Sequence, residues 1–448
     1  MPAVHPFHAI QYHGGAGDVS RFIAPPYDVL DLAAKARLLS HDPFNVVGID
    51  LPHVPARQLG PRETYEAAGS RFESMLAEGI LTKRSTPAMF AYRQRFTFSS
   101  ATHERLGMAC ALDIAPFGPR DGGGILPHEE TFSGPKEDRF ALMRATRAQL
   151  SPIFGLHADE QGTAVQLLRS IVSSRPADLT ARMADDVLHE VWTVEDPAAI
   201  TAYSNALAGQ DVFIADGHHR YTTALNYLRE LEAAGALHQH HPARRCMAVL
   251  VGMSDPGLVI GPTHRVLGGM ETYTIDRFLQ ALAPFAQVAE GPTHLIEIER
   301  AMTQAAADAN GRNVLGLIDF RTHTSFVATL RDPDPLAADC PDKPREWRTL
   351  DVAVIQHLIV RRICEPTLNG GRPVTWAFPH SVDEALDIGK GRETGAGGGA
   401  GFAQLAVIVR PTPLEAVRAV SKAGQLMPQK STFFYPKLAT GLFINPVG

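Results

Sequence analysis

The sequence has 448 residues, of which 45% are hydrophobic and 20% charged, and its formal net charge is −6. This length and composition are typical of a globular protein of two or three domains and exclude a chain that is disordered throughout. Lysine and arginine are spread along the chain, so the concentrated positive charge that holds nucleic acid is not expected. Four cysteines without a CxxC pair remove the usual sequence sign of a zinc site.

The N-terminal residues lack the basic and apolar regions of a secretory signal, and no stretch approaches the roughly 20 apolar residues that span a bilayer. We therefore predict a cytoplasmic protein that has neither a nucleic-acid nor a membrane partner. The oligomeric state is left open.

The pattern of apolar residues predicts a mixed α/β (α+β) fold class in three segments. Residues 1–115 form an N-terminal α/β segment, and residues 116–270 form a core segment. Within the core, two apolar runs that flank the turn residues 254–257 predict a β-hairpin. Residues 271–448 form a further α/β region with a flexible Gly-rich insertion at 389–401.

A polar loop at residues 126–130, Leu-Pro-His-Glu-Glu, precedes a helix that is predicted to begin near residue 135. A site that phosphorylates a hydroxyl needs a carboxylate to receive the proton and cations to hold the charged groups of the substrate. Glu129 is therefore the candidate catalytic base. The candidate substrate contacts in this segment are His128, Lys136 and Arg139. The alternative is an ordinary surface loop followed by a charged helix start.

The strongest motif lies at residues 212–228, where a buried strand, a tight turn at Asp216 and Gly217, and an amphipathic helix are predicted. Free backbone N–H groups at a helix start attract anions, and the side chains that open this helix add further donors. We therefore predict a phosphate site. Its candidate cofactor-binding residues are Gly217, His218, His219, Arg220, Tyr221 and Thr222.

Asp216 is the unusual member of this motif, because a carboxylate beside a bound phosphate is repelled unless a cation lies between them or the carboxylate acts as a base. Asp216 is therefore a candidate catalytic residue and the candidate ligand of a magnesium ion. His218 is a further catalytic candidate. The alternative is that Asp216 caps the helix and the histidines are solvated.

A third motif closes the chain at residues 427–437, where lysines, hydroxyl groups and aromatic rings are concentrated. Lys430 and Lys437 are candidate contacts to an anionic ligand. The alternative is an ordered closing loop with solvated lysines.

Together, PHEETFSGPKEDR, IADGHHRYTTAL and MPQKSTFFYPK closely resemble the uncharacterised bacterial and archaeal family catalogued as domain of unknown function 1015. The segments APPYDVL, PGLVIGPTHR and LDVAVIQHLI extend this resemblance over essentially the whole chain. The family name implies no activity.

The DGHHRY turn and its helix also resemble the signature of the ParB and sulfiredoxin superfamily, in which such a turn binds nucleotide phosphates. Free serine kinases of that superfamily have a similar Asp-Gly-His turn, so the resemblance implies a ParB/sulfiredoxin-like core. His218 stands where sulfiredoxins have their catalytic cysteine, so repair of sulfinic acids is not expected. The helix-turn-helix of ParB proteins is not recognisable in the sequence.

The leading hypothesis is a kinase that uses ATP or ADP, with Mg²⁺, to phosphorylate the hydroxyl of a small metabolite. Free L-serine or a related amino acid is the best candidate acceptor. In this scheme Asp216 binds magnesium or orients the acceptor, and Glu129 takes the hydroxyl proton. The phosphates are held by Gly217, His218, His219, Arg220 and Thr222. A phosphatase acting on a phosphorylated amino acid and a non-catalytic nucleotide-binding regulator remain open alternatives.

Overall fold

The computed structural model describes residues 2–55, 58–129, 134–392 and 401–448. By their contacts the residues divide into two compact units. The first unit comprises Met1–Pro127, Thr131–Val259 and Pro436–Gly448, and the second comprises His128–Glu130 and Ile260–Tyr435. The three segments expected from the sequence, with boundaries after residues 115 and 270, follow sequence patterns and stay a prediction.

The described strands are, in chain order, β1 Val4–His5, β2 Ile10–Tyr12, β3 Gly17–Asp18, β4 Leu81–Lys83, β5 Met89–Phe98, β6 Ala101–Asp113, β7 Ile125–Leu126, β8 Ala148–Gln149, β9 Ile153–His157, β10 Leu179–Arg182, β11 Leu188–Val194, β12 Val212–Asp216, β13 Arg245–Gly252, β14 Val259–Gly261, β15 Arg265–Gly268, β16 Ala286–Glu290, β17 Val314–Asp319, β18 Thr324–Leu330, β19 Thr375–Ala377, β20 Ala403–Ile408, β21 Phe433–Tyr435 and β22 Asn445–Pro446.

The described α-helices are α1 Leu32–His41, α2 Val47–Asp50, α3 Arg62–Ala77, α4 Gly134–Thr146, α5 Thr163–Ser174, α6 Pro197–Leu207, α7 His218–Ala233, α8 Ile275–Leu282, α9 Ile298–Ala307, α10 Arg345–Arg348, α11 Asp351–Val354, α12 Val382–Gly389 and α13 Leu414–Lys422. Short 3₁₀ turns lie at His13–Gly15, Tyr27–Val29, Pro242–Arg244 and Leu295–Glu297, and a π-helix at Ile355–Leu368 continues directly from α11. Helices and strands alternate in both units, which confirms the mixed α/β fold class. The ParB/sulfiredoxin-like core stays a prediction.

The first unit is built on a mixed sheet with the strand order β3-β10-β11-β5-β6-β13-β9-β12-β7, and β1 pairs with β6. The central strand β13 and the second half of β6, from Leu106 to Leu112, are almost continuously apolar, as expected for strands that are covered on both faces. Side chains of α5, α6 and α7, among them Leu168, Tyr203 and Tyr221, belong to the hydrophobic cluster of this sheet. β12 lies near one edge, antiparallel to β9 and parallel to β7.

The second unit is built on an antiparallel sheet with the order β16-β18-β17-β20-β15-β19. Alternate residues of β17 enter different hydrophobic clusters. Leu315 and Leu317 pack in the cluster that contains the π-helix, whereas Val314 and Ile318 pack with α9 and α12. The sheet is therefore covered on both faces, as the period of two along a strand requires.

The β-hairpin predicted around residues 254–257 is wrong. In the described residues β13 pairs with β6 and β9, and β14 belongs to a separate two-stranded sheet. The turn does form, but Asp255 binds the backbone N–H of Leu106 at 3.1 Å, and Gly257 lies directly against the backbone of Glu104. Packing on β6 replaces pairing across the turn.

Most of the Gly-rich insertion predicted at 389–401 lies outside the described residues, since 393–400 are not among them. Within the described ranges, every helix is too short or too polar to cross a membrane.

Candidate functional site

The turn after β12 is produced by a β-bulge and a glycine. The register of β12 against β9 shifts between Ile214 and Asp216, which places Asp216 opposite Phe154. Gly217 follows with a φ of 92°, in the left-handed region that glycine adopts at low cost. A Cβ at this position would also lie 3.1 Å from the guanidinium of Arg220. The predicted strand, turn and helix are thus confirmed, and α7 begins at His218.

The carboxylate of Asp216 accepts hydrogen bonds from two cationic side chains of the first unit. Arg220, one turn along α7, donates from Nη2 to Oδ2 at 2.5 Å. Lys437 donates from Nζ to Oδ1 at 2.5 Å, although it is 221 positions away in the sequence. Arg220 is further fixed by a hydrogen bond to the backbone carbonyl of Pro152. We call Asp216, Arg220 and Lys437 the turn cluster.

The charges of the turn cluster determine its protonation. Burial would raise the pKa of Asp216, but the ammonium of Lys437 and the guanidinium of Arg220 hold this pKa well below its usual range. Burial would lower the pKa of Lys437, but Asp216 and Asp28 raise it above its usual value. At neutral pH the cluster is therefore one carboxylate with two cations.

Arg105 of β6 adds a further positive charge to this region. It is buried, and it donates from Nη2 to the carbonyl of Pro436 at 2.5 Å and also to the side-chain oxygen of Gln94. Burial lowers the pKa of Arg105 to about 10, and Asp216 is one of the negative charges that oppose this shift. Sequence reasoning missed Arg105. An arginine directly before the long apolar run of residues 106–112 was the available signal.

Arg220 and Lys437 thus place two cations where α7 begins. The cap residue Gly217 has no side chain with which to bind the first N–H groups of the helix. Asp216 precedes the cap and is bound by Arg220 and Lys437, so the helix-capping alternative does not describe its hydrogen bonds. Cations at a helix N-terminus form an arrangement suited to a phosphate or another anion.

Besides Arg220, two further predicted cofactor-binding residues are engaged within the protein. Tyr221 is fully buried, and its hydroxyl donates to the carbonyl of Ala115 at 2.7 Å and accepts from the N–H of Ala115 at 2.9 Å. Thr222 donates its hydroxyl to the backbone carbonyl of His218 at 2.9 Å. The position of Tyr221 does not support a role in binding the cofactor, because the ring belongs to the apolar face of α7.

The two histidines differ in exposure. His218 is almost completely buried and is among the groups that lower the pKa of Asp216, whereas His219 is partly exposed. His218 therefore contributes to the electrostatics of the turn cluster.

The residues around Asp216 do not fit the predicted magnesium ligand. Both carboxylate oxygens already face cations. In the described ranges no group of three or more His, Cys, Asp or Glu side chains is placed to hold a metal ion. Arg220 and Lys437 supply the positive charge for which the metal was predicted, so we derive no step through magnesium.

Arg139 lies in the interior of the first unit rather than at an open surface. Its guanidinium is 2.6 Å from the carboxylate of Asp138 and 3.3 Å from that of Asp50, and it lies 3.9 Å from the ring centre of Tyr27. These contacts hold Arg139 inside the first unit, where it lines a small cavity together with Arg220, and its predicted substrate contact stays a prediction. Lys136 lies in the first turn of α4 and is partly exposed.

Glu129 belongs to the second unit, where it meets the third sequence motif. It forms a parallel bridge with Met427, whose N–H donates to the carbonyl of His128 at 2.7 Å. The backbone N–H of Lys430 donates to the carboxylate of Glu129. Lys430 has a φ of 59°, so a left-handed backbone directs this N–H to its acceptor.

His128 and Arg265 complete the surroundings of Glu129. His128 is fully buried, with Nε2 2.7 Å from the hydroxyl of Thr432 and 3.8 Å from the carboxylate of Glu129. Arg265 donates to the carbonyl of Lys430 at 3.0 Å, and burial lowers its pKa to about 10 while Glu129 opposes the shift. We call His128, Glu129, Arg265 and Lys430 the Glu129 cluster.

The structure thus joins the predicted residues in two groups. Asp216 meets Lys437 in the first unit, and Glu129 meets His128 and Lys430 in the second.

Several solved structures are weakly similar to the chain. A free serine kinase variant in complex with ADP is 12% identical, with a TM-score of 0.32 over 73% of this chain and 95% of that chain. A conserved hypothetical protein from Pyrococcus furiosus is 14% identical, with a TM-score of 0.30 over 73% of this chain and 98% of that one. C-terminally truncated SbnI from Staphylococcus aureus is 8% identical, with a TM-score of 0.31 over 72% of this chain and 83% of that one.

No curated protein matches the chain. A family model does match, over residues 4–353, and its description is protein of unknown function DUF1015. The match covers more than half of the chain and confirms the resemblance seen in the motifs. The chain therefore belongs to the DUF1015 family.

Proposed function

We propose that this protein is a phosphotransferase that moves a phosphoryl group from ATP or ADP to the hydroxyl of a small metabolite in the cytoplasm. Free L-serine or a related amino acid is the best candidate acceptor. The observation that carries the proposal is the turn cluster, in which Arg220 and Lys437 flank one carboxylate at the start of α7.

Phosphoryl transfer depends mainly on positioning and on neutralising the charge of the phosphate oxygens. Arg105, Arg220 and Lys437 provide positive charge in the first unit, and the first turn of α7 provides backbone N–H groups. Charge-assisted hydrogen bonds of this kind are stronger than neutral ones and suit a phosphate. Gly217, His218 and His219 lie at the same helix start and complete the proposed phosphate site.

Asp216 acts in this proposal by positioning cations. A general base is most effective when its pKa is near the working pH, and the pKa of Asp216 is held far below neutrality. Asp216 therefore keeps Arg220 and Lys437 in place. None of the described residues is assigned as a ligand of the magnesium that enters with the nucleotide.

Glu129 takes the proton of the acceptor hydroxyl in this proposal. Its carboxylate is anchored by the N–H of Lys430, and the buried guanidinium of Arg265 is the nearby charge that balances it. A carboxylate held at a fixed position suits the transfer of one proton during the reaction.

The test is an incubation of the purified protein with ATP or ADP, Mg²⁺ and a pool of amino acids, followed by mass spectrometry. We expect a phosphorylated amino acid and matching consumption of the nucleotide. Release of phosphate from a phospho-amino acid without nucleotide would indicate the phosphatase instead. Nucleotide binding without any turnover would indicate the regulator.

The control uses two aspartate variants. Asp216→Ala should abolish turnover, whereas Asp121→Ala, which changes an exposed aspartate of the first unit, should leave it unchanged. Thermal unfolding of both variants separates lost catalysis from lost folding. Full activity in a folded Asp216→Ala variant would contradict the assignment of the turn cluster.

A further inference from the structure

The second unit contains a pocket of about 530 Å³ lined by the π-helix, by β19 and the residues on either side of it, and by Gln429. We call it the π-helix pocket. Its volume lies within the range of sites for small ligands and cofactors. Arg265 also lines it, which connects the pocket to the Glu129 cluster.

The π-helix determines which side chains line this pocket. In a π-helix hydrogen bonds join residues five apart, so residues four or five positions apart lie above one another. Gln356, Arg361 and Glu365 follow this spacing and all line the pocket. In an α-helix Glu365 would lie on the side opposite Gln356, because nine residues make about 2.5 turns. π-helical segments are rare and frequently mark functional sites.

Two aromatic rings form a shelf in the pocket. Trp376 and Phe378 are two residues apart in an extended segment, so they lie on the same face of the strand. Their ring centres are 5.9 Å apart and their planes differ by 11°. Both side chains are partly exposed, and the guanidinium of Arg265 lies 5.0 Å from the ring centre of Phe378. Flat aromatic surfaces of this kind stack planar heterocycles.

The side chains that line the pocket beside these rings include both donors and acceptors of hydrogen bonds. The amides of Gln356 and Gln429 each provide an acceptor oxygen and a donor nitrogen, and Glu365 provides acceptors. Glutamine amides pair in two-point fashion with the edge of adenine. An isolated phosphate would leave the shelf unused, and an aliphatic ligand would leave the amides unpaired.

We propose that the π-helix pocket binds a nucleobase, with the adenine ring of an adenine nucleotide as its ligand. This inference rests on the proposed nucleotide-dependent function and deepens it by naming the residues that recognise the base. Trp376 stacks on the ring, and Gln356 and Gln429 bind its edge.

Trp376 also provides the measurement. Of the three tryptophans, Trp192 and Trp347 are 1% and 4% exposed, whereas Trp376 is partly exposed in the pocket. The full-length protein is titrated with adenosine, ADP and inorganic tripolyphosphate while its tryptophan fluorescence is recorded. We expect adenosine and ADP to quench the fluorescence and tripolyphosphate to leave it unchanged.

Two variants at one position provide the matched control, with binding measured by calorimetry. Trp376→Ala should weaken the binding of ADP and adenosine about tenfold or more through loss of stacking, and should leave tripolyphosphate binding unchanged. Trp376→Phe should keep the affinity for ADP but lose the quench.

Unchanged affinity of Trp376→Ala for ADP, or failure of adenosine to bind the wild-type protein, would overturn the nucleobase site. Neither result would affect the phosphotransfer assay, in which a phosphorylated product would still be found. The converse result, quenching by adenosine without any phosphorylated product, would contradict phosphotransfer and support the pocket.

Discussion

The turn cluster and the Glu129 cluster each hold one carboxylate, but by different means. Asp216 is bound by the side chains of Arg220 and Lys437, whereas Glu129 is bound by the backbone N–H of Lys430. The two lysines come from the same C-terminal motif. Lys437 acts on its carboxylate through side-chain charge, whereas Lys430 acts through a left-handed backbone that presents its N–H.

The largest effect that tests this comparison is expected for Glu129→Gln. The amide keeps the oxygen that accepts the N–H of Lys430 but cannot take a proton, so kcat should fall by about 10²–10⁴-fold with little change in KM. Steady-state kinetics of phosphorylation would measure both values. Glu137→Gln, at an exposed glutamate of α4, is the control and should keep full activity. If kcat fell by less than about tenfold, Glu129 would be ruled out as the base.

The second prediction compares the two lysines directly. Lys437→Met removes a cation from the turn cluster and should lower kcat/KM by about 100-fold, as loss of one preorganised donor to a reacting oxyanion typically does. Lys430→Met keeps the backbone N–H that binds Glu129 and should change kcat/KM by less than about threefold. Side-by-side assays at equal protein concentration would show the difference. Equal losses in the two variants would contradict the distinction between side chain and backbone.

The third prediction concerns stability and pH. The folded pKa of Asp216 lies below the ordinary value of about 3.9, so its stabilising contribution is present above that pH and is lost as the pH falls through the folded pKa. The folded pKa of Lys437 lies above about 10.4, so its contribution is lost as the pH rises through that folded value.

Asp216→Asn should therefore lower the free energy of unfolding by about 1–3 kcal/mol across neutral pH, a value reduced for partial solvent exposure. The difference in Tm between wild type and variant should stay constant from about pH 5 to pH 10 and narrow below about pH 4. Thermal unfolding over a pH series would measure it. If the Tm difference between wild type and variant instead increased at acid pH, the ion pairs of Asp216 would not stabilise the turn cluster.

The smallest effect is expected for Tyr221→Phe. This substitution removes the hydroxyl that binds both backbone groups of Ala115 and should lower the free energy of unfolding by about 1–2 kcal/mol. Turnover should be unchanged, because the ring lies in the core. Chemical denaturation and the phosphorylation assay test the two statements. A stable variant with impaired turnover would restore the cofactor-binding role predicted from the sequence.

The sequence by itself determined the local elements of this protein. The apolar run at 212–215, the glycine at 217 and the helical period that follows gave the strand, the turn and α7, because such signals depend on neighbours within a few residues. The same helical period placed Tyr221 on an apolar face. This pattern predicted a core residue correctly, whereas the place of Tyr221 in the motif had suggested a contact with the cofactor. Family membership followed from the motifs as well.

The tertiary structure alone decided which charges meet. Lys437 lies 221 positions from Asp216, and Arg105 comes from the middle of the sheet, so no local pattern could pair them. Once these cations are present, the carboxylate of Asp216 is already neutralised, and the residues around it do not fit the magnesium ligand that an isolated carboxylate predicts. The π-register of residues 355–368 was also hidden, because an apolar helical pattern does not distinguish it from an α-helix. Local periodicity sets the elements, whereas long-range packing sets the electrostatics of the site.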